Sequence, residues 1–229
     1  MKADLHLHTN FSRDGVSSPK EVVEAAIKNG VDIICVTDHG EIKGAVEAAR
    51  YAFDKNLLVI PGIEILSKSG DILGINIKKI IPNGLSAKET IEEIHRQGGI
   101  AIIPHPFQWP NGAFLGGEEE LLLADAIEIF NANSLNFTNK KAFEFVTKNE
   151  LPFSAGSDAH KAKFVGRGHL EFQRSIGSEK ELTEEIKNKG GKVSGKILSL
   201  WETIENSRKM NLLLLFDYFY ESRLKRGKS

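Results

Sequence analysis

The chain has a single cysteine, Cys35, among 229 residues, so it contains no disulfide framework. Cys35 lies in an apolar run, where a small buried side chain is expected rather than a reactive thiol. An excess of charge of one sign is also lacking, because 30 lysines and arginines balance 31 aspartates and glutamates. A net charge of −1 gives no overall field that would hold a nucleic acid or an anionic membrane, so any such contact must be local.

Long hydrophobic runs are missing as well. The most apolar late stretch, 212–216, is interrupted by Asp217 and Glu221 and is far shorter than the roughly 18 residues that a membrane-spanning helix needs. The amino end enters a polar, histidine-rich motif directly, so no signal peptide and no membrane partner are predicted, and the cytoplasm is the expected location.

The composition, 41% hydrophobic and 27% charged, is typical of a soluble globular protein of one barrel-sized domain with a small appendix. Apolar runs of strand length alternate with segments of helical period, which favours an α/β fold with a largely parallel sheet or barrel. Seven strands are predicted, at residues 3–7, 32–37, 58–65, 72–77, 100–104, 126–130 and 152–155.

Local signals mark the predicted helices. Ser18 and Glu21 form a capping box with Pro19 between them, and Ser86 with Glu89 repeats the box before another helix. Further helices are predicted at residues 42–53, 118–123, 139–148, 179–189 and 197–226. The glycine pair at 190–191 is predicted to divide a main domain, 1–190, from a carboxy-terminal helical extension, 191–229; a tight turn is the alternative.

Histidines and carboxylates are concentrated at the ends of the predicted strands. His6 and His8 share one face of the first strand, because side chains on a strand alternate with a period of two. Later strands end in or carry Asp38, His39, Glu64, His105, Asp158 and His160. The carboxyl ends of barrel strands meet on one face, so these residues are expected to converge. Imidazole and carboxylate ligands without thiolate suit zinc, manganese or iron, and the joint pattern predicts a metal centre.

Six short motifs contain these residues and follow one another along the chain. They are Asp-Leu-His-Leu-His-Thr at 4–9, Phe-Ser-Arg-Asp-Gly at 11–15, Thr-Asp-His at 37–39, Gly-Ile-Glu at 62–64, Pro-His-Pro at 104–106 and Ser-Asp-Ala-His at 157–160. In this order they resemble the motifs of the polymerase and histidinol phosphatase (PHP) family of metal-dependent phosphoesterases, over about residues 1–177. The resemblance implies a distorted, seven-stranded, TIM-like β/α barrel with up to three metal ions on its carboxyl face.

Carried over position by position, the resemblance implies two or three divalent ions. The first would be held by His6, His8, Glu64 and Asp158, the second by Glu64 and His105, and the third by Asp14, His39 and His160. One position departs from the fullest family pattern, because Asn131 follows the sixth strand where some members have another histidine. Asn131 is expected to coordinate through its carbonyl oxygen or to hold a bound water, with a weaker or different second metal.

A cluster of this kind favours hydrolysis of a phosphate ester. Adjacent divalent metals lower the pKa of bound water, bind phosphate oxygens and neutralise charge as the ester bond breaks. The candidate catalytic residues are Asp158, His39 and His160, and the leaving oxygen is protonated by His39, by His160 or by a metal-bound water.

Cationic residues in neighbouring loops are predicted to contact the substrate. Arg13, Lys68 and Arg167 are candidates for holding a phosphate group, for which the planar fork of arginine is the better suited. Lys161 and Lys163 are expected to be ordinary surface lysines.

An aromatic loop, 107–114, follows His105, and its Trp109 is a candidate for stacking on a nucleobase. The alternative is a loop packed on the barrel rim. Stacking would favour nucleotides or the 5′ ends of short oligonucleotides as substrates. A histidinol-phosphate phosphatase and a metal-containing binding or regulatory module without turnover are the alternative functions. The carboxy-terminal helix is expected to pack on the barrel or to join two subunits, which leaves a monomer or a homodimer.

Overall fold

Nine strands form one sheet in the computed structural model, which describes residues 1–108 and 114–207. They are β1 (Lys2–Leu7), β2 (Ile33–Val36), β3 (Leu58–Ser67), β4 (Gly70–Ile75), β5 (Ile100–Ile103), β6 (Ala126–Asn131), β7 (Phe153–Gly156), β8 (Gly168–Glu171) and β9 (Lys192–Gly195). The seven predicted strands are confirmed, and the predicted count is corrected by β8 and β9. Strand β9 reads Lys-Val-Ser-Gly, and with one apolar residue it has no strand pattern to detect.

The strands run in both directions along the sheet, whose order is β7-β6-β5-β4-β3-β2-β1-β8-β9. Strands β1 to β3 are parallel to one another, as are β5 to β7. Strand β4 is antiparallel to both of its neighbours, because the short turn at Lys68 leads into it from β3 without a helix. The sheet is therefore mixed, with parallel pairing confined to these two groups and antiparallel β8 and β9 added beside β1.

The barrel nearly closes where β7 meets β1. The backbone N–H of Asp158 donates to the carbonyl of His6, and that of His8 donates to the carbonyl of Ala159, both at 2.8 Å. Glycine is required at this seam, since a Cβ on Gly156 would lie 2.3 Å from the Cβ of His6. Closure carries the ends of the first and seventh strands to the same place.

Seven α-helices lie within the described residues. They are α1 (Pro19–Lys28), α2 (Lys43–Ala52), α3 (Ala87–Arg96), α4 (Glu118–Leu121), α5 (Asn136–Lys148), α6 (Glu179–Lys187) and α7 (Leu200–Asn206). Both predicted capping boxes are present, and Ser199 with Glu202 forms a third at the start of α7. Helix α7 is the first part of the predicted 197–226 helix, and the remainder lies outside the described residues, as does the 212–216 stretch.

The core fills the barrel and the space beneath its helices. Cys35 is fully buried beside Ile33 and Ile60, as predicted, and burial together with the nearby Asp4 carboxylate raises the pKa of its thiol. Strand β9 follows residue 190 and pairs with β8, so the sheet continues into the predicted carboxy-terminal extension. The division of the chain at residue 190 stays a prediction.

Among the described helices, none combines the length and the apolar character needed to cross a membrane.

Candidate metal centre

Strand β1 places two imidazoles at the carboxyl end of the barrel. His6 and His8 are both buried, and their ring centroids are 5.3 Å apart because alternate side chains point to the same side.

The Glu64 carboxylate, carried by β3, lies at the middle of the cluster and faces four imidazoles. Its Oε2 is 3.3 Å from Nε2 of His6, 3.3 Å from Nε2 of His8 and 3.5 Å from Nδ1 of His39. Its Oε1 is 3.5 Å from Nε2 of His105, which follows β5. One buried carboxylate on β3 therefore faces imidazoles from the carboxyl ends of three other strands.

The Asp158 carboxylate completes the group around His6 and His8. Its Oδ1 lies 3.4 Å from Nε2 of His8 and 3.6 Å from both Nε2 of His6 and Nδ1 of His160. The structure thus brings together the four residues that the resemblance assigns to one metal. The backbone of Asp158 has φ of 50°, a left-handed conformation that a non-glycine residue adopts at a cost.

A second group lies nearer to solvent. Oδ2 of Asp14 is 3.2 Å from Nε2 of His39 and 3.5 Å from Nε2 of His160, and a nitrogen of His8 is within 4.8 Å of these atoms. The structure therefore also brings together Asp14, His39 and His160, with His8 between the two groups.

The spacing of these atoms fits a metal better than it fits ion pairs. Charge-assisted hydrogen bonds between side chains are typically about 2.7–2.9 Å long. Two ligand atoms about 2.1 Å from one ion in a tetrahedral arrangement lie about 3.4 Å apart. The distances from Glu64 and Asp158 to the imidazoles, 3.3–3.6 Å, have the second spacing.

The most specific sign of a metal is His8, because neither of its buried ring nitrogens makes a hydrogen bond. A buried polar group without a partner costs about 1–3 kcal/mol, so such a group needs an explanation. Burial and the neighbouring His160 lower the pKa of His8 to about 4. His8 is therefore neutral at physiological pH and presents the lone pair that a metal requires.

The carboxylates are held in the anionic form that metal ligands need. Burial opposes their ionisation, yet the facing imidazoles outweigh it, so the pKa values of Glu64 and Asp158 lie well below their usual range. Burial likewise opposes the charge on His39 and His105, but Glu64 and the other carboxylates raise the pKa of each to about 9.

Glu128, in the middle of β6, supports the cluster from behind, although no role was predicted for it. Nδ1–H of His6 donates to its Oε1 at 3.2 Å, and the backbone N–H of His105 donates to its Oε2 at 2.9 Å. The first bond directs Nε2 of His6 toward the cluster, a common arrangement around metal-binding histidines. The sequence signal that could have identified Glu128 is a glutamate that interrupts the apolar run of β6.

Asn131 braces the carboxylates. Its Nδ2 donates to Glu128 at 2.9 Å and to Asp158 at 3.3 Å, and its carbonyl oxygen accepts from the backbone N–H of Asn133 at 2.9 Å. The carbonyl oxygen is therefore turned to the backbone in this arrangement.

Asp71, at the start of β4, is a further carboxylate that sequence reasoning missed. One of its oxygens lies within 4.8 Å of ligand atoms of His39 and Glu64. Burial and the charge of Glu64 raise its pKa to about 6. An acidic residue opening a strand is common, so no clear signal distinguished it.

The residues that were predicted to contact the substrate differ in exposure and in their partners. Arg13 and Lys68 are exposed, whereas Arg167 forms an ion pair with Glu202 of α7. Trp109 lies outside the described residues. Phe107 and Phe114, which flank that gap, pack against the barrel core.

Comparison with known proteins identifies the class. A PHP domain is matched over residues 4–153 and a PHP-associated region over residues 136–189. The chain belongs to the polymerase and histidinol phosphatase family, the PHP family of metal-dependent phosphoesterases.

Individual relatives agree with that membership. The chain is 39% identical over 166 residues to the uncharacterized protein MJ1587 of Methanocaldococcus jannaschii, covering 68% of this chain and 96% of that one. It is 31% identical over 105 residues to a 5′-3′ exoribonuclease of Haemophilus influenzae, covering 44% of this chain and 38% of the relative.

The fold is shared with a solved structure. A two-domain protein from Bacteroides vulgatus, described as containing a predicted PHP-like metal-dependent phosphoesterase, superposes with a TM-score of 0.71 at 20% identity. The similarity covers 86% of this chain and 65% of that two-domain chain.

Proposed function

We propose that the chain hydrolyses phosphate esters at a centre of two or three divalent ions, of zinc, manganese or iron. The proposed ligands are His6, His8, Asp14, His39, Glu64, His105, Asp158 and His160. The observation that carries the proposal is the convergence of five imidazoles and three carboxylates on one cluster, in which the ring nitrogens of the buried His8 make no hydrogen bond. When bound, the ions would supply hydroxide near neutral pH and positive charge for the phosphate oxygens.

The chain's own residues orient the reaction. Glu128 and Asn131 fix the ligands from behind, so the open side of the cluster is that of Asp14, His39 and His160. The side chains of these three residues are 31%, 18% and 12% exposed, whereas those of His6 and His8 are inaccessible. Substrate is therefore expected to approach from this side, with His39 or His160 placed to give a proton to the leaving oxygen.

The proposed substrates are nucleotides or the 5′ ends of short oligonucleotides. Similarity to the exoribonuclease of Haemophilus influenzae supports a nucleic-acid substrate. Arg13 is exposed beside the ligand Asp14, a position suited to holding a phosphate group. The net charge of −1 favours a short substrate held at the centre over a long polyanion held along the surface.

Turnover by protein loaded with Mn²⁺ or Zn²⁺ tests the proposal. The substrates to compare are a nucleoside monophosphate, a 5′-phosphorylated short oligonucleotide and histidinol phosphate. We expect metal-dependent release of phosphate or nucleotide from the first two, abolished by His8→Ala and by Asp158→Asn.

The same assay separates the alternatives. Exclusive turnover of histidinol phosphate would replace the nucleotide assignment with a histidinol-phosphate phosphatase. Bound metal without turnover of any of the three substrates would favour a binding or regulatory module.

A further inference from the structure

Helix α7 reaches the metal centre from outside both segments matched to the PHP family, which end at residues 153 and 189. Its last residue, Asn206, is completely buried. A buried amide must satisfy its hydrogen bonds inside the protein, and Asn206 does so on the loop that carries two of the proposed ligands.

Asn206 makes three hydrogen bonds to that loop. Its Oδ1 accepts from the backbone N–H of His160 at 2.8 Å and from that of Lys161 at 3.3 Å. Its Nδ2 donates to the carbonyl oxygen of Asp158 at 2.9 Å. One side chain therefore holds the backbone at the ligand Asp158 and also at the ligand His160 and its neighbour Lys161.

The carbonyl of Asp158 has a second donor that matters for coordination. Nδ1–H of His160 donates to it at 3.0 Å, which directs Nε2 of His160 toward Asp14. A bond of this kind at one ring nitrogen sets which nitrogen is available to a metal. By holding the Asp158 carbonyl, Asn206 also holds the acceptor that selects the His160 tautomer.

Asp158 needs such support because its backbone adopts the left-handed conformation, with φ of 50°. A residue in that region persists only when its surroundings determine it. The hydrogen bond from Asn206 acts on the same residue from one side, and that between the Asp158 N–H and the His6 carbonyl from the other.

Contacts along α7 keep Asn206 in place. The N–H of Leu198 donates to the carbonyl of Ala132 at 2.7 Å, and the Leu198 side chain is buried in the core. Ion pairs join Glu202 to Arg167 and Glu205 to Lys163. Helix α7 and the residue Leu198 before it are therefore held to the segment after β6 and to the residues that follow the ligand loop.

We propose that Asn206 is a positioning residue for the metal centre, presenting Asp158 and His160 in the conformation that binds metal. The proposal rests on the proposed metal-dependent function. Residues that support ligands typically change metal affinity or activity by about 10- to 100-fold when replaced.

Direct titration of the full chain with Mn²⁺ tests the proposal, with calorimetry for affinity and electron paramagnetic resonance for the number of bound ions. We expect Asn206→Ala to bind at least one Mn²⁺ about 10- to 100-fold more weakly than the wild type. Asn206→Asp keeps an acceptor for the two N–H groups but loses the donor, so its affinity should fall between the two.

Two control variants separate positioning from general stability. Lys180→Gln removes a surface ion pair with Glu184 on α6, and Asn149→Ala removes a side-chain bond to the carbonyl of Phe145 at the end of α5. Both should bind Mn²⁺ as the wild type does. Circular dichroism melting reports whether each variant is folded, and if Asn206→Ala is not, Asn206→Asp decides the test.

The outcomes are distinguishable. Wild-type affinity in folded Asn206→Ala, or equal loss in Asn149→Ala, would overturn the positioning role. A wild-type chain that binds neither Mn²⁺ nor, in the same titration, Zn²⁺ would overturn the metal centre and the positioning role together. Binding without turnover would overturn the phosphoesterase proposal and leave the role of Asn206 standing.

Discussion

Two groups of histidine and carboxylate in this molecule are built in opposite ways. The first consists of His95, Asp125 and Lys187 and is called the surface group. In it, Asp125 accepts from Nε2 of His95 at 2.7 Å and from the N–H of Ala101 at 2.8 Å, and Lys187 lies 3.2 Å from the other oxygen of Asp125. In the central cluster the separations of imidazole and carboxylate are 3.2–3.6 Å, and the ring nitrogens of the buried His8 make no hydrogen bond.

The difference separates the proposed metal centre from the ion pair at Asp125. The pair of His95 and Asp125 closes to hydrogen-bonding distance and satisfies its atoms within the protein. The central residues are kept apart by their strands and by supporting bonds such as that between His6 and Glu128, which is the spacing that the proposed ions would occupy. Four predictions test this contrast.

The largest effect is expected from replacing a central ligand. His8→Ala and Asp158→Asn should each lose at least one bound metal and lower phosphoesterase turnover by more than about 100-fold, beyond the loss typical of supporting residues. Metal content per chain and turnover are the measurements. His95→Ala is the matched control and should change neither, and full metal content in both central variants would refute the assignment.

Metal should also stabilise the fold through the central group alone. An ion at 100 times its dissociation constant stabilises the folded state by about 2.7 kcal/mol, which for a chain of this size raises Tm by about 5–10 °C. Thermal melting with Mn²⁺ and with a chelator measures the shift. We expect His95→Ala to keep it and His8→Ala to lose most of it. An equal shift in His8→Ala would place the stabilising ion elsewhere.

The position of the centre could be predicted from sequence because its ligands obey short-range rules. His6 and His8 share a face by strand period alone, and Glu64 and Asp158 belong to motifs at strand ends, where barrel topology gathers them. The contribution of Asn206 could not be predicted in this way. It lies 48 residues from Asp158, and only the packing of α7 brings the two together.

The strand count failed for a related reason. Strand β9 is only four residues long and is largely exposed, so it lacks the apolar run that marked the other strands. Its pairing with β8 depends on the tertiary position of that strand beside β1. Asp71 escaped notice similarly, because an isolated aspartate at the start of a strand acquires meaning only when β3 and β4 pair.

Asp71→Asn should have a smaller effect, because Asp71 lies beside the proposed ligands of the central cluster and is not one of them. We expect about 10-fold weaker binding of one ion in a Mn²⁺ titration. Burial and Glu64 raise its pKa to about 6 from an unfolded value of about 3.9, so ionised Asp71 costs folding stability above pH 6. The metal-free variant should therefore be at least as stable as the wild type at pH 8, and no more stable below pH 4. Lower stability at pH 8 would contradict this.

Asp125→Asn in the surface group should leave metal binding unchanged, which is the smallest of the four expected effects. Burial opposes ionisation of Asp125, but the hydrogen bonds from Ala101 and His95 and the nearby Lys187 outweigh it and lower its pKa. A carboxylate with a lowered folded pKa contributes stability above its unfolded pKa of about 3.9 and loses it as pH falls through the folded value. Asp125→Asn should therefore be about 1 kcal/mol less stable than the wild type at pH 7, and the gap should close below about pH 4.

Urea unfolding at a series of pH values measures that gap, and the Mn²⁺ titration provides the comparison with the central cluster. A stability loss at pH 7 with unchanged Mn²⁺ affinity is the result expected of a pair that is complete within the protein. If Asp125→Asn weakened Mn²⁺ binding as well, hydrogen-bond completeness would no longer separate the two groups. The unbonded nitrogens of His8 would then lose their force as evidence for a metal, because a satisfied pair would have behaved in the same way.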